Sequence, residues 1–255
     1  MRTKLPTIFA LMVSLLVPTL TFATTQSTST QSTMVTHVNT KQKVVALTFD
    51  ADMTPRMLKR LQQKKVSSWY NAEVIKDLED ANVPATLFLT GMWIETYATT
   101  TTELSKNPLF ELGNHSYSHS GFTSKCFGLN QVPESHDVSE VKRTDALLSK
   151  YAVHHIKLFR FPGLCFDKDD GAAVRAAGYT IIDGDVYGDD GFQKDANKIV
   201  QNVVSEVKPG SIVILHMHGG LNAPQTATAL PLIIQKLTDE GYSFVKVTDL
   251  LKMEE

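Results

Sequence analysis

The chain has 255 residues, 25 Lys and Arg against 27 Asp and Glu, and a formal net charge of −2. The two signs are interspersed without a basic stripe, which argues against nucleic acid as a partner. Beyond its first two dozen residues the composition is that of a globular chain long enough for one large α/β domain.

Met1-Arg2-Thr3-Lys4 is a basic opening, residues 5–20 are largely apolar, and Thr21-Phe22-Ala23 is a small-residue exit. This layout predicts a secretory signal peptide at residues 1–23 and an exported protein, periplasmic or secreted. A membrane anchor is the competing reading. Pro6 and Pro18 weigh against it, so no stable membrane insertion is expected after cleavage. Residues 24–33 are Thr, Ser and Gln, which cannot bury apolar surface. Residues 24–37 therefore read as a flexible linker ahead of a single domain at 38–255.

Apolar runs at 44–49, 85–90, 110–113, 158–161, 179–182, 212–215 and 243–247 read as strands. Helical periodicity fills 72–82, 94–106, 139–151, 170–177, 196–207 and 226–240. In the last of these, Leu230, Ile233, Ile234 and Leu237 recur at helical spacing and Gly241 ends the helix. Such alternation implies parallel strands joined by crossover helices. Asp50, His115, Arg160, Asp185 and His216 each follow the end of a different strand-like run. So many contributors converge most simply at the mouth of a closed or nearly closed barrel, whereas an open sheet would concentrate its site at one crevice.

His115 and His119, four residues apart, share one face of a helical turn and can share a metal; two loop histidines with hydrogen-bond duties are the alternative. A carboxylate from Asp50 or Asp52 would complete a two-histidine, one-carboxylate set with positions left for water. Met53-Thr54-Pro55 looks like a turn before a helix, so capping is the alternative for these aspartates. His216 ends a buried strand, and Arg160 is a charge on an apolar strand end that needs a carboxylate nearby. Cys126 and Cys165 are the two cysteines; export allows a disulfide between them, and buried free thiols are the alternative. Trp69, Tyr70 and Trp93 can stack on sugars or pack in the core. The stretch 56–71 predicts a loop that carries Trp69 and Tyr70 over the barrel mouth. His136, His154 and His155 fall in polar surroundings and are expected to face solvent.

Taken in order, Leu47-Thr48-Phe49-Asp50, Gly113-Asn114-His115-Ser116-Tyr117-Ser118-His119, Phe159-Arg160-Phe161-Pro162-Gly163 and Gly210-Ser211-Ile212-Val213-Ile214-Leu215-His216 resemble the motifs of the NodB-type polysaccharide deacetylases, carbohydrate esterase family 4. The resemblance runs from about Val44 to the C-terminus. It implies a distorted, incomplete (β/α) barrel that hydrolyses N-acetyl, sometimes O-acetyl, groups on an acetylated polysaccharide. It also implies a divalent ion, Zn2+ first with Co2+ or another divalent ion as alternatives, on His115, His119 and a carboxylate. Asp50 would be the general base toward water and His216 the general acid toward the leaving amine. Arg160 would hold Asp50 ionised and oriented. The Gly163 N–H would serve the oxyanion, with Pro162 and Leu215 beside the substrate.

Two departures stand out. Ala51 occupies the place of the family's second aspartate, and Asp52 follows. Either Asp52 reaches the ion, or the ion rests on the two histidines with Asp50 or water. Counting places Asp190 as the carboxylate that orients His216, with Asp183, Asp185 and Asp189 competing. His218 lies outside the usual pattern, as a spare ligand or a substrate contact. The leading expectation is a metal-dependent deacetylase of N-acetylglucosamine-containing glycan, peptidoglycan or chitin-like. The alternatives are an O-acetyl esterase of xylan type and, given Ala51, a catalytically weak glycan-binding relative.

Overall fold

The computed structural model describes residues 34–133 and 136–255. The signal peptide read at 1–23 and the linker up to residue 33 lie outside the described residues.

Strand β1 (Val44–Ala51) is buried along its whole length, and its alternate residues go to two different places. Val45, Leu47, Phe49 and Ala51 join the larger apolar cluster beneath the helices, whereas Val44 and Ala46 join a second cluster with Phe88, Leu158 and Ile212. Successive side chains of a strand point to opposite faces. The inner face of β1 therefore reads Val44, Ala46, Thr48, Asp50 and, one step past the strand, Asp52. It is apolar where the strand begins and charged where it ends. That gradient puts the chemistry at the C-terminal end of the sheet.

Thr54 caps α1 (Pro55–Gln62) by accepting from the Met57 N–H, and Pro55 fills the first helical position, where a missing N–H costs nothing. This helix takes up part of the stretch expected to be loop. Next come α2 (Ala72–Asp80), with Asn71 as its cap, and β2 (Ala85–Leu89). The single helix expected over 94–106 is two, α3 (Gly91–Thr96) and α4 (Ala98–Lys106). They break at Tyr97, whose ring packs 5.0 Å from Trp93 and whose hydroxyl accepts from the Trp69 N–H at 2.8 Å. The chain continues through β3 (Phe110–Asn114), α5 (Asp137–Tyr151), β4 (Leu158–Phe159), α6 (Lys168–Ala176), β5 (Thr180–Ile181), β6 (Val186–Tyr187), α7 (Ala196–Glu206), β7 (Ser211–His216), α8 (Thr226–Asp239), β8 (Ser243–Phe244) and α9 (Val247–Leu250). The sequence reading did not assign β6, because two residues are too few to show alternation.

The strands pair in parallel in the order β5-β4-β3-β2-β1-β7-β6, with β8 against the start of β1. Residues 34–38 run from one end of this path to the strand next to its other end: Val35 bridges to Ile182 just after β5, and His37 to Ser211 at the start of β7. The sheet is thus the curled, incomplete (β/α) barrel expected from the sequence. Residues 34–37, read there as linker, belong to the folded unit, because their backbone joins the sheet. Asp185 also departs from expectation. Its carboxylate accepts from the Ile212 N–H at 2.9 Å and lies 2.8 Å from His37 Nδ1, at the start of β7 and so at the opposite end from the barrel mouth.

Cys126 and Cys165 form a disulfide, 39 residues apart in sequence. It ties the segment after β3 to the turn after β4. Replacing both cysteines by serine is expected to lower the unfolding free energy by about 2–4 kcal/mol, from the loop-closure entropy returned to the unfolded chain. Urea unfolding under oxidising conditions checks this; an unchanged midpoint would show that the tie adds nothing to the fold.

Candidate active site

Arg160 lies fully buried behind the mouth. A charge so placed is tolerated only when paired and hydrogen-bonded. Its Nη1 donates to Asp50 Oδ1 and Thr48 Oγ1, both at 2.8 Å, its Nη2 to the Asp183 carbonyl at 3.2 Å and its Nε to the Ile182 carbonyl at 3.4 Å. The guanidinium sits 4.2 Å from the centre of the Phe88 ring. Phe88 has room because its neighbour on β3 is Gly113, where a Cβ would fall 2.8 Å from the ring. The carboxylate that Arg160 needs is Asp50.

His115 and His119 do not share a helical turn as expected. They lie on a loop after β3, with Ser116 at φ 64° and His119 at φ 52°, backbone conformations that cost energy outside glycine. What holds the loop is remote in sequence. Glu140 Oε2 on α5 accepts from the Tyr117 N–H at 3.0 Å, the Ser118 N–H at 2.8 Å and the Ser118 hydroxyl at 3.0 Å, and Thr144 donates to the Ser116 carbonyl at 2.8 Å. Asn114 Oδ1 accepts from the Ser116 N–H at 3.0 Å, a local turn. His115 Nδ1 donates to the Arg160 carbonyl at 2.8 Å, which leaves its Nε2 facing the mouth.

Asp52, two residues beyond Asp50, falls on the same side, whereas Ala51 packs under the helices. Asp52 Oδ1 stands 3.4 Å from His115 Nε2 and 3.2 Å from His119 Nε2. Asp50 Oδ2 is 3.6 Å from His115 Nε2. Burial pushes the Asp52 carboxyl up, but His119, His218 and His115 outweigh it and hold the group well below the usual carboxylate range. Burial also drives the His119 imidazole down to about 4, so this ring is neutral and able to ligate.

The donor set fits a cation. Ligands about 2.0–2.1 Å from a tetrahedral ion stand about 3.3 Å apart, close to the separations found here. Asp52 Oδ1 and His115 Nε2 are buried without a hydrogen-bond partner. Such an orphan costs about 1–3 kcal/mol, and a shared ion removes that cost. Among the described residues a second group, Asp52, His216 and His218, also comes within metal-binding distance. There His218 Nε2 already lies 3.1 Å from Asp52 Oδ2 and 3.4 Å from the Asp52 backbone nitrogen, and His216 Nδ1 is engaged elsewhere. The first group has the uncommitted atoms.

Across the mouth, Asp50 on β1 stands in register with His216 on β7. Of the four candidate aspartates, Asp190 is the one on this histidine. Its Oδ1 is 2.7 Å from His216 Nδ1, and its Oδ2 accepts from the His216 N–H at 2.8 Å and the Thr226 hydroxyl at 2.5 Å. Burial pushes the His216 imidazole down, and the Asp190 carboxylate, by charge and hydrogen bond, more than reverses this and raises it to about 10. Gly163 sits at φ 59° in the turn after β4, where a Cβ would fall 2.6 Å from Cys126 Sγ, and Pro162 is buried beside it. Leu215 does not face the site. It is fully buried among the helix-side residues, and strand alternation gives the inner position beside His216 to Ile214, 7% exposed.

Of the two readings for Trp69, Tyr70 and Trp93, the structure gives packing. Trp69 and Trp93 are buried, with Trp69 Nε1 donating to the Met57 carbonyl at 2.8 Å, and the partly buried Tyr70 packs edge-on to Trp93 at 5.8 Å. Residues 63–71 do pass near the mouth, since the Asn71 N–H donates to the Met217 carbonyl at 3.2 Å, but the aromatic side chains turn inward. Glu140, Thr144 and Thr226 carry no motif, and only long-range packing reveals them.

A curled barrel with two histidines and a carboxylate at its mouth, and an aspartate and a histidine in register on paired strands, is an arrangement that can serve a metal-assisted hydrolase. The polysaccharide deacetylase family profile matches residues 37–182, and the chain belongs to this family. It is 28% identical over 213 residues to a bifunctional xylanase/deacetylase of Pseudobutyrivibrio xylanivorans, covering 84% of this chain and 31% of that protein. It is 27% identical over 219 residues to a peptidoglycan-N-acetylglucosamine deacetylase of Bacillus cereus, covering 84% of this chain and 91% of that protein. A solved peptidoglycan N-acetylglucosamine deacetylase has the same fold, with a TM-score of 0.73, 22% identity, and coverage of 88% of this chain and 95% of that one. Among the described residues no helix is long and apolar enough to cross a membrane.

Because Glu140 holds the histidine loop from outside, Glu140→Ala is expected to weaken divalent-ion binding by about 10- to 100-fold. Competition with a chromogenic chelator measures this. Wild-type affinity in the variant would mean that the loop holds its shape unaided.

Proposed function

We propose that the protein is an exported, metal-dependent deacetylase that removes N-acetyl groups from N-acetylglucosamine-containing polysaccharide of peptidoglycan type and releases acetate. One observation carries this reading: Asp50 and His216 face each other in strand register, with the His115, His119 and Asp52 ligand atoms beside them. The curated relatives named as peptidoglycan deacetylases support the choice of polymer.

His115, His119 and Asp52 would hold the ion, Zn2+ from this nitrogen-rich set, and it would supply Lewis-acid activation of the acetyl carbonyl and of water. Asp50, fixed by Arg160, takes the proton of the attacking water. The Gly163 N–H donates to the oxygen on which negative charge develops. His216, with Nδ1 held by Asp190, presents Nε2–H to the departing nitrogen, which leaves as the amine. His218 is a positioning residue. The register that sets Asp50 opposite His216 sets Asp52 opposite His218 one inner-face step later, and the contact at Asp52 Oδ2 turns Oδ1 toward the two metal histidines. That contact answers the departure at Ala51: the ligand is displaced along the chain, and an added histidine steadies it.

The weak glycan-binding alternative rested on Ala51; the placement of Asp52 beside His115 and His119 supports the enzyme reading over it. The O-acetyl alternative is an arm of the test. Acetate release is measured from N-acetylglucosamine oligomers, peptidoglycan and acetylated xylan, with and without chelator. The proposal expects chelator-sensitive release from the first two, restored by Zn2+ or Co2+. Release from xylan alone, or from none of the three by metal-loaded protein, would overturn it.

His216 must carry its proton to act, and Asp190 raises its pKa, so the wild type loses kcat only as pH rises toward about 10. Asp190→Asn removes that carboxylate charge and is expected to move the alkaline limb of the kcat profile to lower pH. A limb left in place would show that another group sets it.

A further inference from the structure

Phe127 and Phe192 are the most exposed large apolar side chains among the described residues, 77% and 80% accessible, yet their rings lie 6.3 Å apart at 38°. They come from loops far apart in sequence, one after β3 and the other after β6. Each stands beside the site on a different side. A Cβ on Gly163 would fall 3.3 Å from the Phe127 ring, so this ring borders the proposed oxyanion turn. Phe192 follows Asp190 by two residues, and the intervening Gly191 would place a Cβ 3.4 Å from His216 Cε1. The placement is enforced. The disulfide fixes Cys126 next to Phe127, Phe127 itself is held at φ 47°, and Asp189 before the second ring is held at φ 57°. Non-glycine backbone in the left-handed region persists only where its surroundings over-determine it, and such positions gather at functional sites.

We infer that Phe127 and Phe192 form an aromatic platform at the rim of the mouth that stacks on the pyranose ring next to the one losing its acetyl group. The inference rests on the deacetylase reading and extends it to a neighbouring sugar subsite. A pyranose presents a flat C–H face that matches an exposed ring, and the platform is continuous with Gly163 and His216, where the reacting sugar sits. Another protein is a poor fit. Two phenylalanine rings offer roughly 300–500 Å², whereas specific interfaces bury about 1,200–2,000 Å².

The test compares Phe127→Ala, Phe192→Ala and the double variant with the wild type, using the metal-loaded protein. The substrates are the β-1,4-linked N-acetylglucosamine tetramer and 4-nitrophenyl acetate, which has no neighbouring sugar. Each single change is expected to raise KM for the tetramer by about 3- to 10-fold, the range expected when one aromatic contact is lost. The kcat, the metal content and hydrolysis of the aryl ester stay unchanged, and Phe→Trp at either position retains tight binding. An unchanged tetramer KM in the double variant overturns the inference. So does an equal loss on both substrates, which marks a structural role, or a wild-type dimer in sedimentation that the substitutions disperse. Wild type that releases no acetate from the tetramer would instead fail the deacetylase reading. Calorimetric titration of the same tetramer then decides the platform alone: binding lost in the double variant supports it, and equal or absent wild-type binding overturns it.

Discussion

Parallel pairing of β1 with β7 is the constraint on which the site depends. Side chains alternate along each strand, so the register that sets Asp50 against His216 also sends both to the inner face. A slip of one residue in β1 would bring Ala51 inward and turn Asp50 under the helices, away from His216. Asp50 and His216 are therefore brought together by backbone hydrogen bonds before any contact of their own side chains orients them. The same ladder grades each inner face. β1 runs Val44, Ala46, Thr48, Asp50, and β7 runs Ile212, Ile214, His216, so an apolar floor lies under a polar mouth.

Above that floor, the charges depend on one another. Arg160 is buried with four hydrogen bonds, and its one charged partner among them is Asp50. Removing one member of such a pair typically costs about 3–5 kcal/mol, because the other is left uncompensated. His115 ties this pair to the ligand set: its Nδ1 binds the Arg160 carbonyl while its Nε2 faces both aspartates. Asp50, Arg160 and His115 thus form one connected unit, whereas His216 is oriented from another direction by Asp190 and Thr226.

The strand ends were legible in the sequence because a buried parallel strand stops being apolar where it meets solvent, and Asp50, His115 and His216 all fall at such breaks. Strand period, too, carried information that could be extended: Asp-x-Asp on one strand and His-x-His on its neighbour make a paired pattern. The geometry of the histidine loop was not legible. Four-residue spacing suggests a helical turn, but Glu140, 21 residues beyond His119, imposes left-handed backbone there instead. Aromatic placement misled for a related reason. Trp69 and Tyr70 resemble surface stacking rings in sequence, while packing against Trp93 and Tyr97 draws them in. Phe127 and Phe192, unremarkable as residues, stay out because a disulfide and a tight turn hold them there.

Gly113 has no side chain to offer any reaction, yet Phe88 lies flat under the guanidinium only because nothing projects from that position. One added methyl would tilt the ring, lift Arg160 and displace Asp50, three removes from the change. Tolerance to substitution in this molecule is thus set by stacking order as much as by chemical role. A survey restricted to residues with reactive groups would overlook one of the positions on which turnover most depends.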